Sequence, residues 1–159
     1  MPPQARVEQR RLCRHSGTWH PFDPMSENLL QTRLIGARVA GVERLDHTWF
    51  FRFDTGAQLV TDGLWRVLTQ TAIATSSEDD GQMFGRKTPV DAAKTAKAHL
   101  AGSVAAVALD PITGDLTVSF DSGATLQMLN ISSGYEGWRL SWPDGVEVIA
   151  LGGGRVMRR

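Results

Sequence analysis

The chain has 159 residues, a length typical of one domain that buries a hydrophobic core without disulfides or metal. Its 17 basic and 17 acidic residues give no net charge, which excludes the strong field that draws proteins to nucleic acid or anionic membranes. Apolar runs stay far short of the roughly 20 residues of a membrane-spanning helix, and the single Cys13 cannot form an internal disulfide. We therefore expect a cytoplasmic protein that binds neither nucleic acid nor a membrane.

Residues 1–28 are predicted to form a flexible leader outside the core. This stretch contains four prolines and four arginines and shows no sustained apolar period. It also lacks the apolar segment of a secretory signal. We expect the remaining residues, 29–159, to form a single domain.

Two segments, about 34–68 and about 100–142, share one pattern. Both have alternating apolar residues before an Asp-x-Gly turn and a Trp-Arg pair after it. The matching stretches are Phe53-Asp54-Thr55-Gly56-Ala57 with Phe120-Asp121-Ser122-Gly123-Ala124, and Trp65-Arg66 with Trp138-Arg139. This internal repeat predicts duplication of one β-meander.

The alternation within each meander predicts which strand face is buried. The residues expected to face the core are Trp49, Phe51 and Phe53 in the first unit and Leu116, Val118 and Phe120 in the second. Trp65 and Trp138 are expected to occupy equivalent core positions. Residues 64–68 are expected to continue the sheet of the first unit.

One helix is predicted between the two units, from Pro89 to Ala101. Thr88 is the expected N-cap, Pro89 suits the first helical position, and Gly102 is placed to end the helix. The predicted fold is therefore α+β, with two repeated antiparallel β-meander units and one helix between them packed on the sheet.

The repeated Asp54 and Asp121 allow two interpretations. Aspartic proteases also carry Asp-Thr/Ser-Gly in two related halves, but their paired carboxylates require a broad cleft that units of about 65 residues hardly provide. Asp-x-Gly is also ordinary hairpin chemistry, because aspartate favours the start of a turn and glycine accepts a positive φ. We favour the turn interpretation for both residues.

The sequence contains no convincing catalytic or metal-binding set. The four histidines are not spaced as in a typical metal site, although Cys13, His15 and His20 lie close together in the leader. Ser132 and Ser133 lack the surroundings of a nucleophile elbow. We expect no catalytic residue, no cofactor and no metal.

The candidate binding residues fall into two groups. The first combines the aromatic and arginine types that are enriched at binding hot spots, and it consists of Trp65, Arg66, Tyr135, Glu136, Trp138 and Arg139. The second is the acidic stretch Glu78, Asp79 and Asp80, which would suit a basic partner. The structural alternatives are that both tryptophans pack in the core and that the acidic stretch is a solvated turn.

Three motifs carry a resemblance to a known family: Trp65-Arg66, Tyr135-Glu136-Gly137-Trp138-Arg139-Leu140 and Pro143-Asp144-Gly145. With the Phe-Asp-x-Gly hairpins, the sequence over about 30–156 resembles a family of small uncharacterised bacterial proteins, largely actinobacterial, with a domain of unknown function. The resemblance supports the fold and the repeat and implies no catalytic residues.

We interpret the sequence as a non-enzymatic protein-binding domain. The analogy is with the immunity proteins that bacteria use to neutralise toxins, and the expected partner is another protein. The alternative is a small-ligand-binding protein or hydrolase with a pocket between the two repeats, where Asp54 or Asp121 would matter.

Overall fold

The computed structural model describes residues 24–159, which contain two helices and eleven strands. The helices are α1 (Pro24–Leu34) and α2 (Ala92–His99). The strands are β1 (Val39–Leu45), β2 (Thr48–Phe53), β3 (Gln58–Thr61), β4 (Trp65–Leu68), β5 (Ile73–Ser76), β6 (Val104–Leu109), β7 (Leu116–Phe120), β8 (Thr125–Met128), β9 (Arg139–Ser141), β10 (Glu147–Leu151) and β11 (Arg155–Arg158). This content confirms the predicted α+β class. Neither described helix is long and apolar enough to cross a bilayer.

The strands form two antiparallel sheets. Sheet A has the order β1-β2-β3-β9-β10-β11, and sheet B has the order β5-β4-β8-β7-β6. Each sheet thus contains one meander, β1–β3 or β6–β8, extended by strands from the other half of the chain. The prediction that residues 64–68 continue the first meander is wrong, because β4 leaves sheet A and pairs with β8 in sheet B.

Strand β9 in sheet A and strand β4 in sheet B, called the exchanged strands below, pair in matching registers. In sheet A, Arg139 of β9 lies opposite Val60 of β3. In sheet B, Arg66 of β4 lies opposite Gln127 of β8. The first hairpin of each meander also shifts register at its first pair, after Val39 in β1 and after Val104 in β6. The corresponding strands of the two sheets therefore pair in closely similar registers.

The two Asp-x-Gly segments form hairpin turns, and their carboxylates reach beyond the turns. Asp54 Oδ1 accepts a hydrogen bond from the backbone N–H of Arg38 at 2.9 Å. Asp121 Oδ1 accepts one from the N–H of Ser103 at 3.0 Å. Each carboxylate thus fastens its turn to the chain entering the first strand of the same meander, which is a structural role for both aspartates.

The core lies between the two sheets and is lined by the alternating faces expected from the sequence. All six predicted residues are buried: Trp49, Phe51, Phe53, Leu116, Val118 and Phe120. Trp65 and Trp138 are also buried, at 1% and 2% exposure, which confirms that both indoles lie in the core. Burial of such large apolar surfaces is the main stabilising term of the fold.

Helix α2 begins later than predicted. Its N-cap is Asp91, whose side chain accepts a hydrogen bond from the N–H of Lys94 at 2.9 Å. Thr88 is not the cap, because residues 89–91 are not yet helical and the N–H of Val90 donates to Gln82 O at 2.8 Å. The helix packs against β1 and β5.

Helix α1 was not predicted, and it begins inside the segment assigned to a flexible leader. Leu30 and Leu34 are fully buried against the core, and the helix packs on β6. Residues 24–28 therefore belong to the folded domain. The remainder of the leader prediction falls on residues 1–23, outside the described residues.

Side chains of α1 also bind the outer edge of β6. Gln31 Nε2 donates to Val107 O at 3.1 Å, and Glu27 Oε2 accepts from Leu109 N at 3.4 Å. An unpaired strand edge is a template for pairing with another chain. Helix α1 occupies this edge of sheet B.

Candidate functional site

The predicted acidic stretch is largely committed to internal bonds. Asp79 Oδ2 accepts from the N–H of Ser76 at 2.8 Å, which completes a capping box on the short 3₁₀ helix Ser77–Asp79. Asp80 accepts from the N–H of Ala92 at 3.0 Å through Oδ1 and pairs with Arg44 at 3.1 Å through Oδ2. Asp79 and Asp80 hold the chain together here, and Glu78 is the exposed acid of the three.

The two tryptophans proposed as binding residues lie in the core and offer no surface to a partner. The indole of Trp65 packs edge-on against Trp49 and Phe51, with ring centroids 4.8 and 5.1 Å apart. Trp138 donates from Nε1 to the carbonyl oxygen of Gly114 at 2.9 Å. The two tryptophans of the predicted hot spot therefore stabilise the fold.

Arg66 lies on the outer face of sheet B, away from the other predicted residues. Its Nε donates to the side chain of Gln127, opposite it on β8, at 2.7 Å. Such a cross-strand pair on a solvated face is ordinary sheet stabilisation.

The structure brings three predicted residues together: Tyr135, Glu136 and Arg139. Arg139 NH2 pairs with Glu136 Oε2 at 3.0 Å, and both side chains are about half exposed. Tyr135, just before them in the same loop, is 83% exposed. Glu136 and Arg139 line a groove on the outer face of sheet A, and Tyr135 directly precedes Glu136 in the chain.

This groove, called the β3–β9 groove below, has a volume of about 380 Å³. Its floor includes Val60 and Ser141. The charged groups that line it are Asp62, Glu136, Arg139 and Glu147. The groove is therefore a polar-rimmed depression with an excess of carboxylates.

Apolar side chains extend from the groove across sheet A. A continuous row of paired residues runs over all six strands and consists of Glu43, Phe50, Val60, Arg139, Ile149 and Met157. Ile149 is buried, at 2% exposure, and the other five are half-buried or exposed. The row in the matching register on the outer face of sheet B consists of Ser76, Arg66, Gln127, Thr117 and Ala108. Thus both rows contain an arginine, but the row on sheet A has four large apolar residues, whereas the only apolar residue in the row on sheet B is Ala108.

The loop that carries Tyr135 is tied down at several points. The amide of Asn130, a buried residue, donates to Thr113 O and to Leu151 O, both at 2.9 Å. Ser132 O accepts from the N–H of Gly153 at 2.8 Å. The exposed tyrosine is therefore displayed on a loop whose ends are fixed.

The neighbouring loop contains a carboxylate with a perturbed pKa. Hydrogen bonds from the backbone N–H groups of Thr113 and Ile112 hold the pKa of Asp110 below its usual value. These bonds stabilise the charged form. They stabilise the turn between β6 and β7 and leave Asp110 as an anion at neutral pH.

A second cavity, of about 490 Å³, lies between α2 and the Asp121 hairpin. Its polar lining includes Thr69, Gln70, His99 and Ser122. This is a space between elements of the two units, as the alternative function requires. Neither Asp54 nor Asp121 lines it.

Within residues 24–159, no group of three or more histidine, cysteine or acidic side chains is arranged to hold a metal ion. The possible leader site at Cys13, His15 and His20 lies outside the described residues.

Sequence reasoning missed the apolar row on sheet A. Phe50 and Val60 come from the consecutive strands β2 and β3, whereas Ile149 and Met157 come from β10 and β11, far along the chain, and only the pairing of β3 with β9 brings the two pairs into line. The available signal was the identity of the outward positions: Val60 stands where Gln127 stands in the second unit.

No curated protein and no solved structure matches the chain. The match to a protein family confirms the resemblance to a domain of unknown function and covers most of the described fold, from the end of β1 into β11. Residues 44–158 match the family described as "Family of unknown function (DUF6188)", and the chain belongs to that family.

Proposed function

We propose that the protein is a non-enzymatic protein-binding domain whose contact surface is the β3–β9 groove with Tyr135 beside it. The observation that carries this proposal is the contrast between the two outer sheet faces. At matching positions, sheet A presents Val60 where sheet B presents Gln127. A sheet face that only meets solvent has no need of the apolar row.

The composition of this surface supports protein binding. Protein interfaces combine an apolar centre with a polar rim, and tyrosine and arginine are enriched among their energetically dominant residues. Here the half-buried Val60 lies opposite the exposed Arg139, and the exposed Tyr135 directly precedes Glu136 of the groove lining. Strands and tied loops lose little conformational freedom on binding, which favours affinity.

The charges in the groove favour a basic partner. Asp62, Glu136 and Glu147 outnumber the single Arg139 along its lining. Complementary charge accelerates association and selects among partners. Within this class we propose an immunity-type role in a bacterial cytoplasm, in which the protein blocks a toxin that presents a basic surface.

The proposal is tested by photo-cross-linking in the cell that makes the protein. The reactive residue is placed in the full chain on the outer face of either sheet A or sheet B. A photo-reactive residue at Ser141, in the groove, should capture a specific partner, whereas the same residue at Thr117 on sheet B should not. Val60→Glu should abolish capture, and the matched change Gln127→Glu should leave it intact. Equal capture from both faces would refute the assignment of the surface.

The cavity of about 490 Å³ favours one alternative, a small-ligand-binding protein or hydrolase. Its hydroxyl, amide and imidazole groups suit a polar ligand. A small molecule that shifts the NMR signals of His99 and Gln70, without moving those of Val60 and Ser141, would favour this second function.

We further propose that the chain arose by duplication of a unit made of one helix and five strands, since β5 pairs with β4 as β10 pairs with β9. Support comes from the matching registers of the exchanged strands and from the same carboxylate bond at both hairpins. In each unit the helix precedes a glycine with positive φ, Gly36 at +88° or Gly102 at +87°.

A further inference from the structure

The loop between the 3₁₀ helix and α2 exposes two large apolar side chains at its tip. Met83 is 46% exposed and Phe84 is 67% exposed. They are adjacent and lie on a different loop from Tyr135. We call this pair the Met83–Phe84 tip.

The backbone at the tip adopts a conformation that phenylalanine rarely accepts. Phe84 has a φ of +44°, in the left-handed region. Glycine occupies that region without cost, but an aromatic residue there is a genuine outlier. Strained residues of this kind persist where their surroundings fix them, and they concentrate at functional sites.

The base of the loop is held firmly enough to maintain that conformation. Gly81 N donates to Val90 O and Val90 N donates to Gln82 O, both at 2.8 Å. At the tip, Arg86 N donates to Met83 O at 2.7 Å. The two apolar side chains are therefore presented by a braced turn.

The charged side chains beside the tip are positive. Arg86 and Lys87 follow it directly, and within the described part of the chain neither takes part in an ion pair. The nearby Asp79 and Asp80 are engaged in hydrogen bonds with the chain, and Glu78 is the exposed acid at the base. The end of the loop is thus apolar and basic.

We propose that the Met83–Phe84 tip is a second docking element, which inserts both side chains into an apolar pocket on a partner protein whose rim carries carboxylates. Exposed aromatic and methionine side chains are typical interface anchors. Arg86 and Lys87 supply the complementary charge for the rim. A protein pocket fits better than a bilayer surface, because the chain as a whole has no net charge to hold it on anionic lipid.

The first test places a photo-reactive phenylalanine analogue at Phe84 in the full chain, with Ile73 as the matched control. Ile73 is also apolar and is 58% exposed, but it lies on β5. We expect a specific cross-link from position 84 alone. Arg86→Glu combined with Lys87→Glu should reduce its yield at least about tenfold, as expected when charge steers association. No cross-link at position 84, an equal one at position 73, or insensitivity to charge reversal would overturn the proposal.

Two further measurements separate the proposal from its rivals. Phe84→Gly should leave the melting temperature unchanged or raise it, because glycine accepts the positive φ; a clear drop would show that Phe84 is structural. Vesicles of phosphatidylcholine and phosphatidylserine in equal amounts should not bind the chain through this tip. Binding that Phe84→Gly abolishes would assign the tip to a membrane instead.

Val60→Glu should leave the cross-link at position 84 intact, so failure of the groove proposal is distinguishable from failure of the tip proposal.

Discussion

The buried indole of Trp138 donates from Nε1 to the carbonyl oxygen of Gly114, 2.9 Å away. Trp65 occupies the corresponding place at the start of its exchanged strand, but its Nε1 has no hydrogen-bond partner among the described residues. Two equally buried indoles therefore differ in how well their polar groups are satisfied. The difference has a measurable effect on stability.

We expect Trp138→Phe to lower the free energy of unfolding by more than Trp65→Phe, by about 1 to 3 kcal/mol. The first change leaves the oxygen of Gly114 buried and unpaired. The second removes an unpaired N–H, which offsets part of the lost packing. Urea unfolding of the two variants measures the difference. A larger loss for Trp65→Phe would contradict this account.

Gly36 and Gly102 form a second matched pair, each with a strongly positive φ. An added Cβ at Gly36 meets open space, whereas one at Gly102 collides with the carboxylate of Asp121. Gly36→Ala should therefore cost only backbone strain, about 1 to 2 kcal/mol, and Gly102→Ala should cost more. In a double-mutant cycle, Asp121→Ala should relieve part of that extra loss. Additive losses would show that the collision is absorbed elsewhere.

Helix α1 is expected to be an energetic part of the domain, although it precedes the residues that match the family. Leu30 is fully buried, so Leu30→Ala should lower the free energy of unfolding by about 2 to 5 kcal/mol. Ile35→Ala, at a site that is 52% exposed, is the control and should change the free energy by roughly 0.5 kcal/mol or less. Similar small effects at both sites would mean that α1 is not docked in solution.

The ion pair between Arg33 and Asp144 links α1 to the turn between β9 and β10, over 2.8 Å. The hydrogen bond from the Arg33 side chain is the main reason why the pKa of Asp144 lies below its usual 3.8. A depressed folded-state pKa gives a stabilisation that is present above the unfolded pKa and disappears as the pH falls through the folded value. Arg33→Gln should raise the pKa of Asp144 toward 3.8 in an NMR titration. An unchanged titration would show that the pair does not form in solution.

The features that could be predicted from sequence are those set by neighbouring residues. Alternation placed Phe51 and Val118 in the core, and Asp-x-Gly located both hairpin turns. Burial of the two tryptophans followed from the same alternation. Such patterns fix what a strand buries, but they say nothing about which strand lies beside it.

The features that were missed depend on distant contacts. The apolar residues of helix α1 do not form a clear stripe along one face. The helix is stabilised by packing on β6, which comes about 70 residues later in the sequence. The exchange of β4 and β9 between sheets leaves no local trace. The apolar row on sheet A exists only in the correct register, and the positive φ of Phe84 is not encoded by residue type.

The exchange of β4 and β9 also governs how the chain can be divided. A cut in the loop between Gly81 and Val90 would leave two fragments, each with a three-stranded meander and with strands that belong in the other fragment's sheet, β4 and β5 in the first and β9 to β11 in the second. Neither fragment alone could supply the strand that hydrogen-bonds to the outer edge of its last meander strand. The two fragments should therefore fold only together. A single ancestral unit with this topology would have faced the same shortage, and pairing with a second copy of itself would have supplied the missing strand.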